Sequence, residues 1–199
     1  MTAQAPSRRT GRPPKSADAI PTRDRLIAAA IEVFVERGFG QANITEIAER
    51  AGISGPAVYK HFDGKADLLM EAARHSLDTT LRGSAVGGQD PSETARRWLS
   101  PGFEPTRRLL LELHLTAGRE TDLTSLLAEW HLERTALWQT NAHETVDRIK
   151  AFYLLLLGLA HVDSLSALDA DPALVQDHVD RMVDALFAET APTRPAPGS

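Results

Sequence analysis

Cysteine is absent from the 199-residue chain, which excludes a disulfide framework, thiolate metal sites and a cysteine nucleophile. Long apolar runs are absent too. The longest, Ala151–Val162 (AFYLLLLGLAHV), spans twelve residues, whereas a membrane-spanning helix needs about twenty. It reads as a buried helix instead. The basic N-terminus leads into no apolar segment of the kind a secretory signal requires, so a cytoplasmic location without a membrane partner is the expectation. Aromatic residues make up only 6% of the chain, yet 42% of it is apolar, enough to pack a core and too much for global disorder. No segment alternates with period two and no repeat is visible, so no strand is predicted.

Positive charge is in short supply overall. Lys and Arg number 22 against 27 Asp and Glu, a net -5, which on its face argues against binding nucleic acid. The distribution reverses that conclusion. Residues 1–65 carry ten basic groups against seven acidic ones, a net +3, and residues 66–199 carry twelve against twenty, a net -8. A basic working end on an acidic body is the natural reading. Much of the excess lies near the start, where Arg8, Arg9, Arg12 and Lys15 face only Asp18.

Residues 1–20, rich in Pro, Ser, Thr and Arg, read as a flexible arm, and residues 191–199 as a disordered tail. Everything between is helical by pattern. Leu26, Ala30, Val33 and Phe34 place a first helix over 22–37, with Gly38 as its C-cap. Asn43 caps a second, and Glu46 three residues on suggests a capping box; that helix buries Ile44, Ile47, Ala48 and Ala51 and stops at Gly52. Ser54 caps a third, with Pro56 tolerated in its first turn, and it runs to about Phe62. Further helices are predicted over 65–81, 92–99, 106–118, 122–141, 144–168 and 172–188. The chain is therefore expected to be all-α, with an arm (1–20), a DNA-binding unit (21–65), an effector-binding and dimerisation unit (66–190) and a tail.

Two short helices meeting at Gly52-Ile53-Ser54 and packed on a longer one have the outline of a helix-turn-helix. Small residues, Ala48 and Gly52, let the helices meet steeply; Ile47, Ile53 and Val58 hold the angle and leave the second helix's other face for a DNA groove. The detail is more specific. Ile31-x-x-Phe34, Arg37-Gly38-Phe39, Ile44-Thr45-Glu46-Ile47-Ala48, Ala51-Gly52-Ile53-Ser54 and Val58-Tyr59-Lys60-His61-Phe62-x-x-Lys65-x-x-Leu68-Leu69 together resemble the tetracycline-repressor (TetR) family of bacterial transcription regulators. The resemblance covers residues 23–70, about a quarter of the chain. It implies that Tyr59, His61 and Lys65 contact phosphate, which sets register without reading sequence. Lys60 matches a groove-facing position and Ala57 one that touches a thymine methyl. The starts of the second and third helices, at Asn43 and at Ser54 and Gly55 with Pro56 lacking an N–H, would offer backbone N–H groups to phosphates. Thr45 and Gly55 depart from the family's long polar side chains there, so direct readout is expected to be sparse. The arm's Arg9-Thr10-Gly11-Arg12-Pro13-Pro14-Lys15 looks like an AT-hook core, which would place Arg9, Arg12 and Lys15 in a narrow minor groove. An unstructured basic tail is the alternative.

The resemblance further implies a homodimer on a palindromic operator and a small-molecule effector. The last two helices are the expected interface, through Leu155, Leu159, Leu174, Val175, His178, Val179, Met182, Val183 and Leu186. An apolar, aromatic effector pocket is expected to be lined by Trp98, Phe103, Leu110, His114, Trp130, Trp138, Phe152 and His161. No cofactor and no metal are expected. Two enzyme-like groupings fail on geometry. His161, Asp163 and Ser164 are near neighbours on a helix and point apart, so they make no hydrogen-bonded relay. His143, Glu144 and Asp147 offer too few ligands for a metal.

Overall fold

The computed structural model describes residues 20–81, 90–164 and 170–188. Among these the chain is helical throughout, with one 3-10 turn and no strand. Helix α1 (Thr22–Gln41) is broken at Gly38, whose φ of 70° ends the regular helix where the sequence puts its cap. Helix α2 (Ile44–Arg50) starts at Asn43, whose side-chain oxygen accepts the Thr45 N–H at 2.8 Å. The expected capping box does not close. Glu46 turns instead to Arg50 at 3.2 Å and Arg37 at 3.5 Å, because two guanidinium groups compete for its carboxylate.

Helix α3 is shorter than predicted, Gly55–Val58 only. The chain then tightens, with the His61 and Phe62 N–H groups both returning to the Val58 carbonyl at 2.9 and 3.1 Å. Ser54 occupies the N-cap position without a side-chain bond. Its carbonyl, not its hydroxyl, receives the Ala57 N–H. Leu26, Ile27, Ala30, Val33, Ile47, Ala48, Val58 and Phe62 are all buried and form the core of this head. Between α2 and α3, Gly52 sits at φ +65°. The guanidinium of Arg25 donates to the Ala51 and Gly52 carbonyls, the second at 3.2 Å, and so satisfies acceptors left open where α2 ends.

Helix α4 (Lys65–Leu81) packs on α1, α6 and α7, joining head to body. The body continues with α5 (Pro91–Leu99), capped by Asp90 through the Ser92 and Glu93 N–H groups. A 3-10 turn (Pro101–Phe103) leads to α6 (Glu104–Ala117), then α7 (Thr121–Ala142), α8 (Val146–Ser164) and α9 (Pro172–Phe187). Buried Arg107 pins the proline corner by donating to the Trp98 carbonyl and, at 3.0 Å, to that of Ser100. Helix α8 begins two residues later than predicted. His143 takes a left-handed conformation (φ 56°) that closes α7, and residues 165–168 lie outside the described residues.

Besides the packing of α1 on α4 and α6 and the Arg23–Glu71 ion pair, polar bonds from two body helices converge on one head residue, Phe39. Glu112 of α6 accepts the Phe39 N–H at 2.7 Å, and Lys65 of α4 donates to the Phe39 and Ala42 carbonyls at 2.7 and 3.2 Å. The same ammonium lies 4.3 Å from the centre of the Phe39 ring.

Gly52 and Gly55 make a matched test of the turn. A Cβ at Gly52 meets left-handed strain and Arg25 Nη2 at 2.9 Å, while one at Gly55 meets nothing within 4 Å. Gly52→Ala is expected to lower stability by about 1–2 kcal/mol. Gly55→Ala is expected to leave it unchanged or raise it by about 0.4–1 kcal/mol. Urea unfolding midpoints check this, and equal midpoints for the two variants would refute it.

Candidate functional site

Two surfaces and one cavity carry the chemistry. On the head, Asn43, Thr45, Ser54, Pro56, Tyr59, Lys60 and His61 are exposed, and Gly55 and Ala57 are half-buried. Tyr59 is 60% exposed, so its ring does not serve the core. Arg50 is engaged by Glu32, Glu36 and Glu46. Its hydrogen bond holds the Glu36 carboxyl below the usual carboxylate range. With Arg50 and Arg37 matched by the head's own carboxylates, Lys60 and His61 are the basic side chains on the exposed stretch that follows α3. Lys65 is engaged within the protomer. It is half-buried, and its ammonium donates to two carbonyls and caps the end of α1. Arg9, Arg12 and Lys15 lie outside the described residues.

The cavity lies in the body. Seven of the eight residues expected in it line one space: Trp98, Phe103, Leu110, His114, Trp130, Trp138 and Phe152. His161 does not; it is exposed on α8. The empty volume is about 600 Å³ including the part open to solvent, and the walls are almost wholly carbon. Phe152 meets Trp138 at 5.5 Å and Phe187 at 5.4 Å between ring centres, and Trp98 meets Phe103 at 5.2 Å. Sequence reasoning missed the polar members, His131, Arg134, Tyr153 and Thr94. Arg134 was within reach of it: Trp130, Arg134 and Trp138 are four apart, which puts them on one stripe of α7.

These polar groups share a corner. The His114 Nδ1–H donates to the Leu110 carbonyl at 2.6 Å, which leaves Nε2 as an acceptor for the His131 Nε2–H at 3.0 Å. A doubly charged pair cannot make that bond. Burial lowers the pKa of both rings, that of His131 to about 4, with His114 and Arg134 adding repulsion at His131. The Tyr153 ring lies 5.5 Å from His131, and burial raises the pKa of its phenol. Trp98 Nε1, buried, has no hydrogen-bond partner.

With this geometry in view, comparison with known proteins places the head. Residues 26–72 match the sequence model of bacterial regulatory proteins of the tetR family. Over its N-terminal domain the chain is therefore similar to the tetR family. It is 43% identical over 61 residues to the HTH-type transcriptional activator FasR of Mycolicibacterium smegmatis, a match covering 31% of this chain and 28% of that protein. It is 46% identical over 53 residues to the HTH-type transcriptional repressor BepR of Brucella suis, covering 27% and 25%. The chain thus spans less than a third of the length of either relative. The crystal structure of the multidrug binding protein EbrR complexed with ethidium superposes with a TM-score of 0.64 at 23% identity, covering 87% of this chain and all of that one. At that identity the likeness establishes the fold alone.

The remaining surface is formed by α8 and α9. Leu174, His178 and Met182 are exposed, and Leu155, Leu159, Val175 and Leu186 are half-buried. Val179 and Val183, expected to face outward, are fully buried within the protomer. Helix α9 packs closely on α5, where Ser92 donates to Asp184 at 3.2 Å. Sequence reasoning overlooked Leu154 and Val162, 63% and 47% exposed, which flank exposed Gly158 at four-residue spacing. No helix among the described residues is long and apolar enough to cross a membrane. No group of three or more His, Asp or Glu among them is placed to hold a metal. Of His143, Glu144 and Asp147, His143 lies outside the helix and Glu144 is held by Arg148 at 3.3 Å.

The histidine pair has a pH signature. Its folded-state pKa values lie below the unfolded value, so between about pH 6.5 and 4 the unfolded chain binds more protons. Stability is therefore expected to fall as pH drops through that window. His131→Gln should flatten the fall, read as a smaller change in urea midpoint between pH 7 and pH 4.5. An identical pH dependence in the two proteins would refute the neutral pair.

Proposed function

We propose that the chain is a cytoplasmic, ligand-responsive transcriptional regulator and not an enzyme. It acts as a homodimeric repressor that leaves a palindromic operator when the body cavity fills. The observation that carries this reading is the pairing, in one chain, of a tetR-family helix-turn-helix with a concave, aromatic-walled cavity. Tyr59, Lys60 and His61, with the N–H groups at the starts of α2 and α3, are assigned to the DNA backbone. Gly55 offers no side chain to a base, so recognition leans on shape and on the arm.

The α8–α9 face supports the dimer. Leu154, Val162, Leu174 and Met182 are exposed apolar side chains on these two adjoining helices, and a single helix-turn-helix buries too little surface to hold a site alone. The multidrug binding protein EbrR, similar in fold, is complexed with ethidium, which supports a small-molecule occupant for this cavity. Release follows from linkage: an effector dissociates DNA only as far as it prefers the protomer geometry that mismatches the half-sites, about 34 Å apart. Helix α4, shared by head and body, is the proposed transmitter, and Glu112 of α6 a second link through Phe39.

Two experiments test this reading. Footprinting on DNA flanking the gene should protect a two-fold symmetric site, with affinity falling at a log–log salt slope of about -7 for some eight neutralised phosphates. Lys60→Ala in both protomers should lessen the slope by about 2, and a slope near zero in the parent protein would refute DNA binding. Met182→Asp, at an exposed position, should halve the mass seen by sedimentation and abolish operator binding without lowering helicity. An unchanged mass would refute the α8–α9 interface.

A further inference from the structure

The polar corner of the cavity says what kind of molecule it admits. We propose that the cavity takes an apolar, aromatic-bearing ligand that carries a carboxylate or an equivalent anionic acceptor, and that it disfavours cations. This rests on the effector-cavity reading above and adds a charge to it.

The lining contains no carboxylate, whereas Arg134 stands within it. The Arg134 side chain is 18% exposed and packs 5.7 Å from the centre of the Trp130 ring. Its nearest counter-charge, Asp78 of α4, lies at 3.8 Å on the solvent side with its own side chain 54% exposed. That separation is long and water-screened, so much of the guanidinium charge stays available to a ligand. The next carboxylate along α7, Glu133, turns to Arg74 instead. A ligand cation entering this space would lose its hydration, meet no counter-ion and feel Arg134. A carboxylate would meet a cation of fork geometry suited to binding it through both oxygens.

The hydrogen-bond inventory points the same way. Trp98 is 5% exposed and its Nε1–H has no acceptor. An indole N–H can only donate, so its missing partner is an acceptor. Unmet buried donors are rare and costly, and an acceptor-bearing ligand removes the cost. The histidine pair, by contrast, is already closed upon itself through the Leu110 carbonyl.

The test is a calorimetric titration of the full chain at pH 7.5 with three matched probes: 1-naphthylacetate, 2-(1-naphthyl)ethanol and 2-(1-naphthyl)ethylammonium. The acetate is expected to bind at least about tenfold more tightly than the ammonium, with the alcohol between them. Arg134→Met should bring the three within about threefold of one another. Arg134→Lys, which keeps the charge, should preserve the order and so separates loss of charge from loss of fold. An ammonium that binds as tightly as the acetate would overturn the charge assignment and leave the cavity reading intact. Failure of all three to bind at millimolar concentration would overturn the cavity reading and this proposal with it.

Discussion

Phe39 is gripped from three sides, and the relation of head to body depends on that grip. Glu112 holds its N–H, Lys65 holds its carbonyl, and the Lys65 ammonium also lies over its ring, which stacks near Phe34. Both backbone bonds are charge-assisted, the stronger kind, and they come from two different helices of the body. The position just past Gly38 is thereby the place where α1, α4 and α6 agree on one geometry. Gly38 at φ +70° lets the chain leave α1 at the angle that brings Phe39 into reach.

Helix α6 connects this clamp to the cavity without an intermediary. Leu110 and His114 line the cavity, and Glu112, between them in sequence, reaches Phe39 from the same helix. A rigid helix that carries a cavity wall and an anchor of the head within five residues is a short lever. The hydrogen bonds that fix its cavity side are few, since His114 bonds to its own helix and to His131. What occupies the space beside that pair therefore bears on a helix that also contacts the head.

Local physics made most of the helices legible. Asn43, Asp90 and Asp171 sit at helix starts and accept N–H groups there, and Gly38 and Gly52 take the positive φ that ends a helix. The aromatic residues of the cavity were legible for a similar reason: in a chain with few aromatics, those on body helices have one core to share. What escaped the sequence was partner choice. Glu46 is three residues from Asn43, as a capping box asks, yet the arginines at 37 and 50 outbid the backbone. Lys65 fits a phosphate-contact position, but carbonyls 23 and 26 residues earlier hold its ammonium. Val179 and Val183 belong to the apolar stripe of α9, and periodicity does not say which half of a broad stripe faces its own protomer. Tyr153 and His131 meet only once α7 and α8 are packed.

The placement of the tryptophans has an optical consequence. The chain contains three, and Trp98, Trp130 and Trp138 all line the cavity. None lies in the head, so the indole emission of the whole molecule originates at the walls of one space. Buried indoles emit at shorter wavelength than hydrated ones, and the spectrum is a gauge of how dry that space is. The protein carries its own fluorescent reporter for the cavity, and the DNA-reading end is silent to it.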